Sequence, residues 1–301
     1  MKPLTGDMGA VPIDDAPSGR RTDRERSYLV VGHVCVDVFP GGSAPRLGGT
    51  VFYATKQSTA LGNHSTVVTA CTPATRSRLV EALGSDVEFV TLDAIEDTTF
   101  EFGRDAARGP RRLVGRAPLL TSLPEGCFDV IHLGPVFGEL SGELLESARR
   151  RGRFVGATPQ GLLRGTTADG RLTLVADRWP DAPRFADAIA LNDEEFAHLR
   201  AAGVLSGYDG IVLHTLGPDG ACAYRGGVEV ARHVPAPSDT VVVAEHTIGA
   251  GDTFAATAFT ALAAGASVAD AVETAVEAAT AYVRRSPVLT EGPAPYCGGQ
   301  C

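Results

Sequence analysis

The chain has 301 residues, of which 44% are hydrophobic and 21% charged, with a formal net charge of −9 at pH 7. That is enough apolar material for one large α/β domain or two small ones. An acidic chain with rare lysine and no Lys/Arg block excludes nucleic acid and anionic membrane as natural partners and points to a small ligand. The longest uncharged run, Thr253 to Ala269, is too short and too weakly apolar to span a bilayer. The six cysteines (Cys35, Cys71, Cys127, Cys222, Cys297 and Cys301) are scattered. They read as reduced thiols of a cytoplasmic protein, since no His or second pair completes a zinc pattern near Cys297 and Cys301.

Residues 1–27 lack both periodicity and an apolar signal segment, and read as a disordered leader. Tyr28 to Val38 is a β-rich run, expected to form a central strand. Asp37 near its end is costly in an apolar strand unless it faces water or a ligand. Phe39 to Leu47 is a loop, and Gly48-Gly49 opens a helical run that Gly62 stops. The double glycine is either a plain turn or a point of close ligand approach. Strand, helix and strand are then expected over 66–70, 74–83 and 87–92. Thr98–Arg104 and Arg111–Arg116 flank Gly109-Pro110 and read as a polar antiparallel hairpin. Inserted in an α/β chain, such a hairpin suits a flap over a site.

A strand is expected over 128–133, a helix over 141–151 and a strand over 154–157, followed by Thr158-Pro159-Gln160-Gly161-Leu162-Leu163-Arg164. Ala188–Leu191 is a strand capped by Asn192, with Asp193, Glu194 and Glu195 in the next helical turn. Locally this cluster reads as N-capping and dipole complement. Gly210–Thr215 leads into Leu216-Gly217-Pro218-Asp219-Gly220 and a hairpin over 221–234. After an apolar run at 240–243 comes Thr247-Ile248-Gly249-Ala250-Gly251-Asp252, then helices over 250–264 and 268–284.

The Gly-Ala-Gly turn lies where a strand ends and a helix begins. The unpartnered N–H groups and the helix dipole make an anion site there. Asp252 then falls beside that anion. It either complements the dipole or takes the proton of a hydroxyl attacking a bound phosphate. The turn is neither a dinucleotide fingerprint, because Phe254 stands where the third glycine belongs, nor a Walker A loop. Alternating strands and helices imply a parallel sheet with ligands beyond its carboxyl ends. Asp37, Gln160, Asn192, Gly217 and Gly249 all lie at or just after such ends.

In this combination the chain, from about Tyr28 to Val288, resembles the ribokinase-like carbohydrate kinases of the PfkB family. The most specific piece is Thr247 to Asp252. Gly32, Asp37, Gly48-Gly49, Ala54 and Leu61-Gly62 match the family's N-terminal signature. The resemblance implies a three-layer α/β sandwich with a mostly parallel sheet and a small β lid. It places a single kinase domain at 28–290, lid strands at about 38–47 and 97–116, and a flexible tail at 291–301. It implies that Gly249, Ala250 and Gly251 form the anion hole and that Asp252 is the general base. Asp37, Gly48 and Gly49 would hold substrate hydroxyls. Asn192 and Glu195 would organise Mg²⁺ and phosphates, mostly through water. Thr215, Gly217, Gly220 and Thr247 would lie along ATP.

Five positions depart from the family pattern. His33 and Tyr53 stand where Asn is frequent and face the substrate in the family. Thr158 and His246 replace Asp, the latter leaving dependence on a monovalent cation open. Val276 stands where an Asn often reaches adenine. Gln160, Arg164, Gly134-Pro135-Val136 and Glu139 resemble the inositol-kinase branch; Arg164 and Arg104 are either extra phosphate or substrate contacts or plain solvated surface cations. The implied activity is ATP-dependent phosphorylation of a sugar or of a cyclitol such as myo-inositol, by a monomer or a homodimer paired through the lid. The alternatives are a nucleoside kinase of the same fold and a non-catalytic sugar or nucleotide sensor.

Overall fold

The computed structural model describes residues 25–41, 44–103, 111–176, 185–236 and 247–285. β1 (Ser27–Val31), β2 (Cys35–Val38) and β3 (Arg46–Gly48) lead into α1 (Thr50–Ala60), β4 (His64–Cys71), α2 (Pro73–Leu83) and β5 (Glu88–Asp93). β6 (Thr98–Phe102) and β7 (Arg111–Gly115) follow, then β8 (Phe128–Leu133), α3 (Gly142–Arg151) and β9 (Gly152–Ala157). A 3₁₀ turn at Pro159–Leu163 precedes the short strands β10 (Arg164–Thr166) and β11 (Leu172–Leu174). β12 (Ala188–Asn192), α4 (Asp193–Ala201), β13 (Ile211–Thr215), β14 (Ala221–Arg225), β15 (Val228–His233), α5 (Ala250–Ala263) and α6 (Val268–Arg285) complete the order.

The main sheet has nine strands in the order β15-β14-β13-β12-β9-β8-β1-β4-β5. β5 through β13 pair in parallel, and β14 and β15 return antiparallel at one edge. Side chains alternate along each strand, so each face takes its own helices. Tyr28 and Val30 of β1 pack with Val51 of α1, Phe254 and Phe259 of α5 and Val272 of α6. Leu29 and Val31 pack on the other face with Leu144 of α3 and Phe196 and Leu199 of α4. The result is the expected three-layer α/β sandwich. α5 lies so close to β9 that a Cβ on Gly156 would strike the Phe259 ring.

β1 sits between β4 and β8, so the chain runs out to β5 and then returns to build the other half. Beyond the carboxyl ends of β1 and β8 such a reversal leaves a crevice. A second sheet, in the order β3-β2-β6-β7, forms the lid. Phe100 and Phe102 of β6 turn inward against Cys35, Phe39, Val136 and Phe137. Among the described residues no helix is long and apolar enough to cross a membrane.

The single strand expected over 28–38 is instead two strands in different sheets. The backbone N–H of His33 donates to Glu139 Oε1 (2.9 Å) and that of Val34 to Thr69 Oγ1 (2.8 Å). Side chains thus satisfy groups that a continuous strand would pair, and the chain crosses from main sheet to lid there. The β10–β11 hairpin was not expected, because three-residue strands carry too little periodicity to read. The expected strand at 240–243, Arg104, His246, Cys297, Cys301, the leader up to residue 24 and the tail lie outside the described residues. Cys35, Cys71, Cys127 and Cys222 are free thiols.

Candidate active site

A cavity of about 200 Å³ opens between the lid and the N-terminus of α5. Asp37, Tyr53, Arg111, Arg164, Gly249 and Asp252 are among the residues that line it. The two aspartates therefore look into one hollow.

Asp37, on β2, is buried. Burial pushes its carboxyl up to about pH 6, against the pull of Arg111, Arg164 and Arg46 and with a further push from Asp252. Arg46 stands opposite it in the β2–β3 register. These arginines are held by aromatic rings. Arg46 lies over Phe39 (4.7 Å), Phe39 stacks on Phe102 (4.6 Å), and Arg111 lies over Phe102 (4.8 Å). Arg164 lies over Phe100 (5.3 Å) and donates to Val136 O (2.9 Å) and Gln160 Oε1 (2.6 Å). Burial lowers the pKa of Arg111, and its repulsion with Arg164 adds to that. An anionic group entering the cavity would relieve both costs.

The double glycine has a local reason. A Cβ on Gly48 would collide with the Asp37 carboxylate, and one on Gly49 would stand 2.8 Å from His33 O. Gly49, at φ 85°, is also the N-cap of α1. The room these glycines leave is thus occupied by Asp37 and the β1–β2 connection. His33 does not line the cavity. It is buried, with Nδ1 2.8 Å from Thr98 Oγ1 and Nε2 2.9 Å from Pro118 O. Since a carbonyl only accepts, Nε2 carries the proton and Nδ1 accepts from Thr98. Burial lowers the pKa of this neutral ring.

At the other end, Gly249 caps α5 at φ 89°, a left-handed conformation suited to glycine. A Cβ there would also collide with the ring of Tyr53. Thr253 N–H returns to Gly249 O (2.9 Å), so the N–H groups of Ala250, Gly251 and Asp252 have no acceptor within the helix. The turn is braced from behind by Tyr282, whose hydroxyl donates to Ile248 O (2.7 Å). Burial pushes Asp252 up to about pH 6, while a hydrogen bond from Thr50 and the charge of Arg164 pull it down and Glu195 pushes it up.

Asn192 and Glu195 form a capping box at the start of α4. Asn192 Oδ1 accepts from Glu195 N–H (2.8 Å), and Glu195 Oε2 accepts from Asn192 N–H (3.0 Å). Burial raises the pKa of Glu195. Thr215 donates to Leu191 O (3.2 Å), and Gly217 (φ 61°) and Gly220 (φ 87°) shape the following turn. Thr247 lines the cavity; Val276 is buried in the core beneath α5. Reading residues alone overlooked Arg111, Arg46, Phe100, Phe102 and Thr50. The signal available for Arg111, Phe100 and Phe102 was the alternation of aromatic and polar residues in the hairpin.

Residues 176–292, which include Asn192, Gly217 and the Gly249–Asp252 turn, match the model of the pfkB family of carbohydrate kinases. A pyrophosphate-dependent kinase of the ribokinase family, solved with a pyrophosphate analogue and myo-inositol, superposes with a TM-score of 0.71 at 22% identity. That match covers 85% of this chain and 94% of the other. The C-terminal part of the chain is thus similar in sequence to the pfkB carbohydrate kinases, and the chain as a whole has the ribokinase-like fold. Phosphofructokinase-2 from Escherichia coli also shares the fold, with a TM-score of 0.61 at 18% identity over 87% of this chain and 95% of that one. No curated protein matches by sequence. The sequence match carries the α5 end of the cavity, and the fold match extends to the lid.

Proposed function

We propose that this chain is a kinase of the pfkB type that transfers the terminal phosphoryl group of ATP to a hydroxyl of a small polyol, either a sugar or a cyclitol such as myo-inositol. The reading rests on one observation: Asp37, Asp252 and the Gly249 turn share a single cavity. Its volume of about 200 Å³ is below the roughly 300–1,000 Å³ of pockets for drug-sized ligands. That favours a monosaccharide-sized acceptor over a nucleoside.

In this reading Asp37 accepts hydrogen bonds from two acceptor hydroxyls. Asp252 takes the proton of the attacking hydroxyl as its oxygen bonds to phosphorus and the donor oxygen leaves. The N–H groups of Gly249, Ala250 and Gly251 stabilise charge developing on the phosphoryl oxygens. Lid closure excludes water as a competing nucleophile. Mg²⁺, when bound, would supply positive charge against the donor phosphates. Glu195 keeps one carboxylate oxygen outside the capping box and suits such an ion through water, whereas Asn192 Oδ1 is already engaged by the helix.

A second reading concerns the donor alone. Val276, at the position the family uses toward adenine, is buried in the core, and arginines crowd the cavity. With the fold's likeness to a pyrophosphate-dependent kinase, this favours testing inorganic pyrophosphate as donor. The experiment is a phosphoryl-transfer assay crossing ATP, GTP and pyrophosphate with inositols, hexoses, pentoses and nucleosides. Turnover of a sugar or cyclitol is expected. Ligand binding without turnover for any donor would replace the kinase with a sensor.

A further inference from the structure

The core beneath the cavity holds a run of polar side chains that the transfer step does not use. Tyr28 is fully buried, and its hydroxyl lies 3.1 Å from His132 Nδ1. Burial drives the Tyr28 pKa far up and that of His132 down to about 3, so the phenol keeps its proton and the ring is neutral. Thr158 Oγ1 gives its only proton to Thr50 Oγ1, so the neutral ring carries its proton on Nε2, Nδ1 accepts and the phenol donates. Nε2 lies 3.1 Å from Thr158 Oγ1, which thus receives a hydrogen bond and passes its own proton to Thr50 Oγ1 at 3.3 Å.

Thr50 receives a second donor. Gln160 Oε1 is engaged by Arg164, which turns the amide so that Nε2 points to Thr50 Oγ1 at 3.3 Å. With two donors on its oxygen, the Thr50 hydroxyl has one proton left to give, and it is the group that most favours the charged form of Asp252. Its position is tightly set, since a Cβ on Gly134 would collide with Thr50 Cγ2.

We propose that Tyr28, His132, Thr158 and Thr50 form a one-way chain of hydrogen bonds whose task is to hold the Asp252 carboxylate in its proton-accepting orientation. These are positioning residues, and the proposal rests on the reading of Asp252 as the base. No proton travels along the chain, because the neutral His132 is too weak a base at working pH. The other groups that act on Asp252 are Asp37 from β2, Cys35 beside it, Tyr53 from α1, Arg164 from β10, Glu195 from α4 and Tyr282 from α6. None is altered in the variants below.

The test is the pH profile of kcat/KM. Thr50→Val should move the acid limb to higher pH by about one to two units, the scale of a hydrogen bond to a charged group. Thr50→Ser should restore it. Thr158→Val should move the limb the same way but less, because Gln160 still feeds Thr50. Thr55 lies on the same helix with a buried hydroxyl that has no partner, so Thr55→Val should leave the limb in place. A uniform loss of rate with an unmoved limb in Thr50→Val and Thr158→Val would reduce the chain to packing and overturn the proposal. Carbon-13 titration of the Asp252 carboxyl in the resting protein gives a readout without turnover. If wild type transfers no phosphoryl group, the kinase reading falls while the Thr158→Val shift still decides the chain. An unshifted midpoint in that variant overturns the chain even if Thr50→Val fails to fold.

Discussion

The two ends of the cavity carry the same functional group in opposite company. Burial pushes both Asp37 and Asp252 up to about pH 6. At the lid end, Arg111, Arg164 and Arg46 answer the charge of Asp37. At the α5 end, the largest stabilising influence on Asp252 is the neutral hydroxyl of Thr50. Protonating Asp37 would leave several guanidiniums without their counter-charge. Protonating Asp252 would weaken one hydrogen bond. A carboxylate that must hold hydroxyls profits from the first arrangement, and one that must gain a proton in every turnover profits from the second.

The sharpest way to break this contrast is to neutralise each carboxylate. Asp252→Asn should lower kcat by about a thousandfold or more with acceptor binding retained. Asp37→Ala should raise the acceptor KM by about ten- to a hundredfold, with the smaller effect on kcat. Steady-state kinetics on both variants would collapse the distinction if the two patterns matched. For wild type, log kcat/KM should rise with pH through about 6, because both groups act as carboxylates.

Stability should show the reverse sign. The folded pKa of each aspartate lies above the ordinary 3.8, so the folded state binds more protons between about pH 4 and 6. This contribution is favourable at low pH and lost as pH rises through about 6. Asp252→Asn should therefore stabilise the protein by about 1–3 kcal/mol at pH 7.5, and the gain should vanish near pH 4. Asp37→Asn should gain about as much, since its folded pKa is raised to the same value with the pull of the arginines included. Calorimetry at both pH values checks this, and gains that persisted unchanged at pH 4 would contradict it. The smallest effect is expected for Arg111→Met, which removes a ring contact worth about 0.5–1 kcal/mol. The acceptor KM should rise a few-fold, and the acid limb should move slightly upward as Asp37 loses a cation.

Most of the main sheet was legible because its strands are buried on both faces and read as apolar runs between turn residues. The glycine turn that opens α5 was legible because everything that makes it lies within six consecutive residues, Thr247 to Asp252. What could not be read depends on contacts between distant segments. Gly32-His33-Val34 looks like strand until Glu139 and Thr69 take its N–H groups. His33 resembles a ligand contact until Thr98 and Pro118 engage both ring nitrogens. Thr50 carries no local mark at all; its role comes from Thr158, 108 positions away along the chain. Arg111 reads as a surface cation of a polar hairpin, because nothing nearby shows that Phe102 turns it inward.

The bond from Tyr282 to the carbonyl of Ile248 ties the last helical turn of the chain to the loop where phosphate would rest. A truncation that stopped short of Tyr282 would keep every atom of that loop yet release its only described strut from α6. Amides at 247–251 would then exchange faster with solvent. Tolerance to shortening at the carboxyl terminus should therefore end abruptly at this tyrosine.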